Sequence, residues 1–226
     1  MIRFVVATRS SFDNFFTETA LGRSLALYYP LGGIQVRVFE SNTAGLPTVY
    51  NQAIEEARTQ PALLVFCHDD LHLCDFFWAD RLREGIQKYN IVGLAGNLRR
   101  VPRQPGWAFI DEKLTWDARE NLSGVVGHGD GFPSSNLSVF GPSGQPVKLL
   151  DGLWLACESQ LLIDKDLRFD ERFKFHFYDL DFCREAEKLG LSMGTWPISV
   201  VHQSSGVFGT PSWRAGYAAY MDKWKS

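Results

Sequence analysis

The stretch PALLVFCHDDL, residues 61–71, decides the fold, because an apolar run ends abruptly in a group of polar side chains. A nearly continuous apolar run of this length predicts a strand that is buried on both faces of a parallel sheet. His68, Asp69 and Asp70 then lie at the carboxyl end of that strand. Because ligands of open α/β sheets bind beyond the carboxyl ends of the strands, these three residues are candidates for a functional site.

The residues on both sides of this run alternate between strand and helix patterns. The elements predicted for the first part of the chain are strand 2–7, helix 12–29, strand 34–39, helix 46–57, strand 61–67, helix 76–89 and strand 91–95. This alternation, four strand-and-helix steps within the first 96 residues, predicts an α/β fold with an open, mostly parallel sheet that is flanked by helices.

The second part of the chain begins with a long stretch that has no clear periodicity. Residues 97–146 are rich in glycine, proline, serine, basic residues and tryptophan, which predicts a functional insertion rather than a linker. Regular patterns return further on, with strands predicted at 147–150, 153–157 and 199–202, and helices at 179–189 and 212–224. Nothing in the pattern marks a second domain, so we expect one domain over residues 1–226.

The composition argues against several classes of protein. The chain of 226 residues is 45% hydrophobic and 22% charged, as in an ordinary globular protein. Its 23 lysine and arginine residues against 26 acidic residues give a net charge of -3, which argues against a nucleic-acid partner. The apolar runs are far shorter than the ~20 residues that span a bilayer, and the N-terminus lacks the apolar region of a secretory signal. We therefore expect a cytoplasmic protein without a transmembrane segment.

Acids at the end of a buried strand suit a cation site. Magnesium and manganese prefer oxygen ligands and keep open positions for a diphosphate, and Asp69 and Asp70 offer carboxylates on a rigid strand end. The alternative is a polar turn that merely ends the strand, because aspartate is common in turns. The spacing alone does not separate these two interpretations.

A second group of acids lies in the segment YDLD, residues 178–181. The apolar positions that follow predict a helix, so Asp179 and Asp181 fall at or near its N-terminus, where the helix dipole keeps a carboxylate ionised near neutral pH. An ionised carboxylate in an aromatic setting can act as a general base. The alternative is that both acids only cap the helix.

Two further motifs follow or separate predicted strands. His202 ends the apolar run of WPISVVH, and a neutral histidine can complete a divalent-cation site, although a lone histidine is more often structural. In LDGLWLA, residues 150–156, Asp151 and Gly152 lie between two apolar stretches. Trp154 in the same motif is either a stacking platform for a sugar or a core residue.

Polar residues after the first strands are candidates for nucleotide contacts. Thr8 and Arg9 follow the first strand and Glu40 ends the second, where α/β folds commonly bind base and ribose. A basic loop that could contact a diphosphate, or simply be solvated, contains Arg99, Arg100 and Arg103. The chain has no Walker loop and no G-x-G-x-x-G, G-x-S-x-G or H-E-x-x-H motif, which argues against several common enzyme classes.

Taken in order, these pieces resemble the GT-A glycosyltransferases, in particular the bacterial enzymes similar to family 2, over most of the chain. The matching pieces are VVATR, GLPTVYNQAIEEA, VFCHDDL, VGLAG, LDGLWLA, FDERFKFHFYDLDFC and VVHQSSG. The resemblance implies a GT-A fold with a nucleotide-binding half over residues 1–96 and an acceptor and catalytic half over residues 97–226. It also implies a metal-dependent enzyme that moves a sugar from a nucleotide-diphosphate-sugar, with a UDP-sugar expected first, to an acceptor hydroxyl with inversion.

The resemblance further implies roles for single residues. Asp70 matches the last acid of the D-x-D motif and would bind Mn²⁺ or Mg²⁺ together with His202, while His68 stands where the first acid is usual. Asp179 matches the base that takes the proton of the acceptor hydroxyl, and Tyr178 replaces the preceding glutamate of the family. Residues implied to contact the donor nucleotide are Thr8, Arg9, Glu40, Asn51, His68 and Asp69. Residues implied to contact the substrate are Asp151, Gly152, Trp154 and Asp181.

The acceptor implied by the resemblance is a glycan or a lipid-linked molecule of bacterial surface-glycan synthesis. Trp107, Trp116 and His128 lie in the stretch that varies for acceptor recognition. The aromatic tail GYAAYMDKW could pack on the core, pack on a partner, or contact a membrane peripherally. A sugar nucleotidyltransferase is one alternative, although the segment ATRSSFDN lacks its glycine-rich phosphate loop. A catalytically silent nucleotide- or sugar-binding protein is the other, because HDD and YDLD depart from the family pattern.

Overall fold

The computed structural model describes residues 1–204 and 206–225, which form two mixed β-sheets flanked by helices. The strands are β1 (Ile2–Ala7), β2 (Ile34–Phe39), β3 (Leu63–Cys67), β4 (Leu71–Leu73), β5 (Ile91–Gly93), β6 (Ala95–Asn97), β7 (Leu122–His128), β8 (Asn136–Gly141), β9 (Leu149–Leu150), β10 (Trp154–Glu158), β11 (Met193–Thr195) and β12 (Val200–His202). The α-helices are α1 (Phe12–Glu18), α2 (Ala20–Tyr28), α3 (Leu46–Glu56), α4 (Trp78–Lys88), α5 (Ser159–Asp164), α6 (Tyr178–Lys188) and α7 (Pro211–Trp224), and short 3₁₀ helices cover Tyr29–Leu31 and Arg119–Asn121. The α/β fold class expected from the sequence is confirmed.

The first sheet has the strand order β11-β5-β10-β3-β1-β2 and contains the predicted parallel core. Strand β1 pairs in parallel with β2 on one side and β3 on the other. Strand β10 runs antiparallel between β3 and β5, with Trp154 opposite Cys67. The residues before β10 therefore lie beside those after β3, and the backbone N–H of His68 donates to the carbonyl of Leu153 (3.3 Å).

The second sheet has the order β4-β12-β7-β6-β9, with β8 paired to β7. Its strand β12 places His202 opposite Leu71 of β4 on one side and opposite His128 of β7 on the other. Strands β7 and β8 lie inside residues 97–146, so this stretch is not irregular throughout, contrary to the prediction. Both strands mix glycine, serine and exposed apolar residues, and therefore lack the alternation that marks a strand in a sequence.

The helix predicted over residues 12–29 is divided in two at Thr19. The Thr19 hydroxyl donates to the carbonyl of Phe15 (2.8 Å) and accepts from the N–H of Gly22 (3.0 Å). One side chain thus ends α1 and caps α2. A Cβ at Gly22 would clash with the Phe15 carbonyl, so glycine is required where the two helices turn.

The C-terminal helix α7 packs on the core. Its aromatic residues Trp213, Tyr217 and Tyr220 are buried, and their rings contact the ring of Phe177 just before α6. These rings therefore pack on the core, which is one of the arrangements predicted for the aromatic tail. Within residues 1–204 and 206–225, every helix is too short or too polar to cross a membrane.

Candidate active site

A cavity of about 600 Å³ opens where the end of β3, the start of β10, the N-terminus of α6 and the end of β12 meet. This volume suits a small-molecule ligand. The cavity brings together four polar groups that lie far apart in the sequence, at residues 68–70, 151–152, 178–179 and 202. Strand ends from both sheets therefore contribute to one site, as the topology of an α/β fold leads us to expect.

Three side chains on the wall of this cavity form a cluster that could hold a cation. One ligand atom each from His68, Asp70 and His202 lies within 4.8 Å of the others. Asp70 Oδ1 is 3.2 Å from His202 Nε2 and 3.9 Å from His68 Nδ1, and it is buried without a hydrogen bond of good geometry. Buried carboxylate oxygens normally have partners, so this atom has free capacity for a cation. Asp69 lines the same cavity but lies outside the cluster.

The charges within the cluster influence one another strongly. Burial raises the pKa of the Asp70 carboxyl, but His202 and His68 lower it by more, so the group stays ionised well below its ordinary range. Burial lowers the pKa of His202, and the adjacent carboxylate of Asp70 (3.2 Å) outweighs this effect and raises it. Burial lowers the pKa of His68 despite the nearby carboxylate. The cluster therefore presents an ionised carboxylate and, on His68, a neutral imidazole near neutral pH.

The loop that carries this cluster is fixed by backbone hydrogen bonds. The carbonyl of Asp69 accepts from the N–H of Leu21 at the start of α2 (3.0 Å), and the carbonyl of Asp70 accepts from the N–H of Gln203 (3.1 Å). These bonds tie the end of β3 to α2 and to the end of β12. The ligand atoms of the cluster are therefore held on rigid elements.

Asp179, in the first turn of α6, also lines the cavity. Its Oδ2 accepts a hydrogen bond from the backbone N–H of Gly152 (3.1 Å). Burial and the negative charge of Asp151 raise the pKa of Asp179 to about 7, although backbone N–H groups act in the opposite direction. The sequence predicts that the helix dipole keeps this carboxyl ionised near neutral pH. The carboxyl is not fully ionised there, because burial has a larger effect on its pKa than the dipole. A pKa near 7 suits a group that exchanges a proton near neutral pH.

Close contacts hold the N-terminus of α6 against the start of β10. The Tyr178 hydroxyl donates to the carbonyl of Gly152 (2.8 Å) and lies 3.3 Å from His68 Nε2. A Cβ at Gly152 would clash with this hydroxyl and come within 3.0 Å of the Asp179 Cβ, so the approach requires glycine. Phe177, just before the helix, has a φ of 69°, in the left-handed region that is costly for a residue with a side chain.

Aromatic residues form a further wall of the cavity. Trp107, Trp116 and His128, the candidates for acceptor contacts, all line it. Three phenylalanines that the sequence analysis did not single out lie beside them, namely Phe109, Phe140 and Phe208. These rings come from separate loops and from β8, so no local sequence pattern could have grouped them.

Two residues expected to contact the substrate are instead structural. Trp154 is completely buried and packs edge-to-face on Phe4, because β10 lies in the interior of the first sheet. Asp181 is also completely buried, on the face of α6 that points away from the cavity, where its Oδ1 lies 2.7 Å from Lys223 Nζ. Neither side chain lines the cavity, which corrects the interpretation of both.

The remaining residues expected to contact the donor nucleotide lie outside the cavity lining. Asn51 forms two hydrogen bonds with the backbone of Phe169, through Nδ2 (2.8 Å) and Oδ1 (2.9 Å). Glu40 is exposed and accepts a hydrogen bond from the first residue of α1 (2.7 Å). Thr8 is buried in the turn after β1, and Arg9 beside it is exposed.

The arginines of the basic loop also lie outside the cavity lining, and each has an acidic partner. The ion pairs are Arg99 with Asp117 (2.6 Å), Arg100 with Glu187 (2.9 Å) and Arg103 with Glu112 (2.6 Å). These guanidinium groups are already engaged within the protein. The geometry therefore gives no support to the expectation that they contact a diphosphate.

No protein-family model and no curated protein sequence matches this chain. Among solved structures, it is similar to TarS of S. aureus (13% identity, TM-score 0.48, 90% of this chain and 37% of that chain). It is also similar to A197 from STIV (10% identity, TM-score 0.48, 92% of this chain and 97% of that chain). A third similar structure is GalNAc-T7 with UDP, GalNAc and Mn²⁺ (12% identity, TM-score 0.53, 98% of this chain and 47% of that chain).

The chain thus spans less than half the length of the TarS and GalNAc-T7 structures that it matches. Identities this low carry information about the fold alone, and of the three only the GalNAc-T7 match is close enough to support a conclusion. That match extends over 98% of this chain. The chain therefore has an α/β fold of the GT-A glycosyltransferase type.

Proposed function

We propose that this chain is a glycosyltransferase that moves a sugar from a nucleotide-diphosphate-sugar to an acceptor hydroxyl. The observation that carries the proposal is that one cavity contains both a His-Asp-His cluster and a carboxyl group with a pKa of about 7. Sugar transfer uses both functions, because negative charge develops on the leaving diphosphate while the acceptor hydroxyl loses its proton. The GT-A type of fold is consistent with this proposal.

A divalent cation, Mn²⁺ or Mg²⁺, fits the cluster on the chemistry of its donor atoms. Asp70 Oδ1 is a buried oxygen whose contact with His202 Nε2 (3.2 Å) lacks good hydrogen-bond geometry, and His68 and His202 offer ring nitrogens close to it. When bound there, a cation would offset the negative charge that develops on the diphosphate as the sugar leaves. The chain itself contributes ligand atoms that are held in place by the ends of β3 and β12.

Asp179 is the proposed general base. Its carboxylate would take the proton of the acceptor hydroxyl while that oxygen bonds to the anomeric carbon and the bond from this carbon to the diphosphate breaks. A single displacement of this kind inverts the anomeric centre. The hydrogen bond from the Gly152 N–H to Oδ2 orients the carboxylate for the reaction.

A UDP-sugar is the first donor to consider, because the similar GalNAc-T7 structure contains UDP and Mn²⁺. We infer that residues 1–96 form most of the donor side, with the nucleotide near the ends of β1 and β2. The aromatic wall with Trp107 and Trp116 would then contact a glycan or lipid-linked acceptor. The proposed setting is the synthesis of a bacterial surface glycan in the cytoplasm, with at most peripheral contact with the membrane.

A thermal-shift screen tests the donor site. A ligand that binds only the folded state raises Tm, so UDP, GDP, CMP, dTDP and ADP are compared with and without Mn²⁺. We expect one nucleotide to raise Tm only when Mn²⁺ is present, and Asp70→Ala to abolish this shift. The matched control is Asp80→Ala, which removes an exposed acid on α4 and should keep the shift. The absence of a shift with every nucleotide would contradict the proposal.

The chemistry can be measured before the acceptor is known. Water can take the place of the acceptor hydroxyl, so slow release of the nucleoside diphosphate from a nucleotide-sugar reports the reaction at the donor. We expect release that requires both the cation and Asp179. Binding that depends on Mn²⁺, without release from any donor, would instead favour the catalytically silent binding protein.

A further inference from the structure

We propose that His68 binds the cation through Nδ1, that Tyr178 positions it for this role, and that the resulting site selects Mn²⁺, Co²⁺ or Zn²⁺ over Mg²⁺. The inference rests on the proposed function only in taking the cluster of His68, Asp70 and His202 as a cation site. It goes further by naming the ligand atom of His68, the side chain that fixes this atom, and the class of ion that follows.

The hydrogen bonds around Tyr178 determine which nitrogen of His68 carries the proton. The Tyr178 oxygen lies 2.8 Å from the carbonyl oxygen of Gly152 and 3.3 Å from His68 Nε2. A carbonyl oxygen can only accept, so the single phenolic proton points to Gly152. The phenolic oxygen is then an acceptor toward the ring, and His68 Nε2 is the donor. A neutral His68 therefore carries its proton on Nε2 and has a lone pair on Nδ1.

This lone pair belongs to the nitrogen that lies near the Asp70 carboxylate. His68 Nδ1 is 3.9 Å from Asp70 Oδ1, which is 3.2 Å from His202 Nε2. Atoms that bind one ion at about 2.0–2.2 Å lie about 3–4 Å from one another, so these distances suit a shared ion. The ring of Phe175 lies nearly parallel to that of His68, with centroids 6.1 Å apart and an interplanar angle of 22°.

The Tyr178 hydroxyl accepts a hydrogen bond from the His68 nitrogen that does not bind the cation. Contacts of this kind influence how tightly a histidine binds a metal ion. Such partners fix the tautomer and orientation of the ring, and their loss typically weakens metal binding by about 10–100-fold. Tyr178 is buried, and its hydroxyl lies between the Gly152 carbonyl and the His68 ring. It is therefore a positioning residue that acts on the cation through His68.

The class of ion follows from the donor atoms. Two imidazole nitrogens and one carboxylate oxygen suit Co²⁺ and Zn²⁺ best. Mn²⁺, although it also favours oxygen, is a transition-metal ion that accepts such a mixed set, whereas Mg²⁺ requires a set made of oxygen atoms. Asp69 is the other carboxylate of the loop, and it lies outside the cluster, so it does not restore an oxygen-rich set. The histidine at position 68 thus moves the preference of the site away from Mg²⁺.

The tautomer of His68 can be read in the metal-free wild-type protein by long-range proton–nitrogen correlation NMR. The signals of His68 are those that disappear in His68→Ala. We expect a protonated Nε2 and an unprotonated Nδ1. A protonated Nδ1 would overturn the proposal, and this measurement does not depend on whether a Tyr178 variant folds.

Calorimetric titration of the full chain with Mn²⁺, Co²⁺ and Mg²⁺ tests the remaining claims. We expect Mg²⁺ to bind at least about 10-fold more weakly than Mn²⁺, and both His68→Ala and Tyr178→Phe to weaken Mn²⁺ binding by about 10-fold or more. The control is His176→Ala, which removes a cavity histidine outside the cluster and should leave Kd unchanged. Equal affinity for Mg²⁺ and Mn²⁺, or an unchanged Kd in His68→Ala, would overturn the proposal.

The outcomes of these measurements distinguish a failure of this inference from a failure of the proposed function. If no donor ever releases its nucleoside diphosphate but His68→Ala loses Mn²⁺ binding, the proposed function fails and this inference stands. If His68→Ala binds Mn²⁺ normally while Asp70→Ala does not, this inference fails and the proposed function stands.

Discussion

Two aspartates of α6, two positions apart, lie in opposite surroundings. Asp179 lines the cavity, and its Oδ2 accepts a hydrogen bond from the Gly152 backbone. Asp181 points to the other side of the helix, into a group of residues that we call the clamp: Asp170, Asp181, Glu185, Lys223 and Trp224. In the clamp, Lys223 Nζ lies within 3.0 Å of three carboxylates.

The comparison separates acids that stabilise the fold from acids that are available for chemistry. Burial lowers the pKa of Lys223, but the three carboxylates of the clamp outweigh this effect and raise it, so the ammonium group stays charged beside them. Among the described residues, no lysine or arginine forms an ion pair with Asp70, Asp151 or Asp179. The cavity therefore keeps negative charge without a fixed cation, as expected of a site that binds a metal ion and moves a proton.

The largest difference between the two regions should appear in catalysis. Asp179→Asn removes the proposed base and keeps an oxygen for the Gly152 N–H, so we expect release of the nucleoside diphosphate to fall by about 10³-fold. Asp181→Asn is the matched control, because it changes the clamp and should lower Tm while the folded protein keeps its rate. A near wild-type rate in Asp179→Asn would show that Asp179 is not the base.

The second prediction concerns the stability that the clamp provides. Lys223→Met leaves three buried or half-buried carboxylates without their shared cation, so we expect the free energy of unfolding to fall by about 3 kcal/mol. The control is Lys165→Met, which removes an exposed lysine and should change it by less than about 0.5 kcal/mol. Urea denaturation measures both values. Equal, small effects of the two substitutions would mean that the clamp does not stabilise the fold.

The third prediction uses the raised pKa of Asp179. In the folded protein the Asp179 carboxyl keeps its proton up to a pH of about 7, whereas in the unfolded chain it loses the proton near pH 3.8. The folded state therefore binds more protons between these two pH values. The resulting stabilisation is complete below the unfolded pKa and is lost as the pH rises through the folded pKa. The free energy of unfolding of the wild type, measured relative to that of Asp179→Asn, should fall by about 1.4 kcal/mol for each pH unit from about pH 5 to pH 6.5. Parallel stability curves for the two proteins would contradict the raised pKa.

Local sequence patterns were sufficient for much of the fold. The apolar run at 61–67 became β3 (Leu63–Cys67), and the helix predicted at 179–189 became α6 (Tyr178–Lys188). The grouping of Asp70, Asp179 and His202 came from the resemblance to GT-A glycosyltransferases and not from local patterns, and the structure brings these residues to one cavity together with His68. Periodicity failed for β7 and β8, where glycine and exposed apolar residues hide the alternation.

The difference between Asp179 and Asp181 could not be predicted, because it depends on residues distant in sequence. The partner of Asp181 in the clamp is Lys223, which lies 42 positions further along the chain. Trp154 presents the same difficulty, since a tryptophan in an apolar run fits both a sugar platform and a core position. Only the placement of β10 inside the first sheet decides between them.

The smallest effect should come from the edge of the clamp. Trp224 Nε1 donates to Asp181 Oδ1 (2.9 Å), and the indole ring lies 4.0 Å from the Arg184 guanidinium and the Lys188 ammonium. Trp224→Phe keeps an aromatic face for both cations but loses the hydrogen bond to a buried carboxylate, so we expect a loss of about 1.5 kcal/mol in the free energy of unfolding.

This loss is smaller than that in Lys223→Met because Asp181 keeps its ion pair. Since both side chains bind the same carboxylate, the double variant Lys223→Met, Trp224→Phe should not lose the sum of the two single effects. Urea denaturation of the wild type, the two single variants and the double variant gives the coupling free energy between the two substitutions. Additive losses would mean that Lys223 and Trp224 act separately, and the clamp would then be a set of independent contacts and not the single charge-compensating unit that distinguishes it from the cavity.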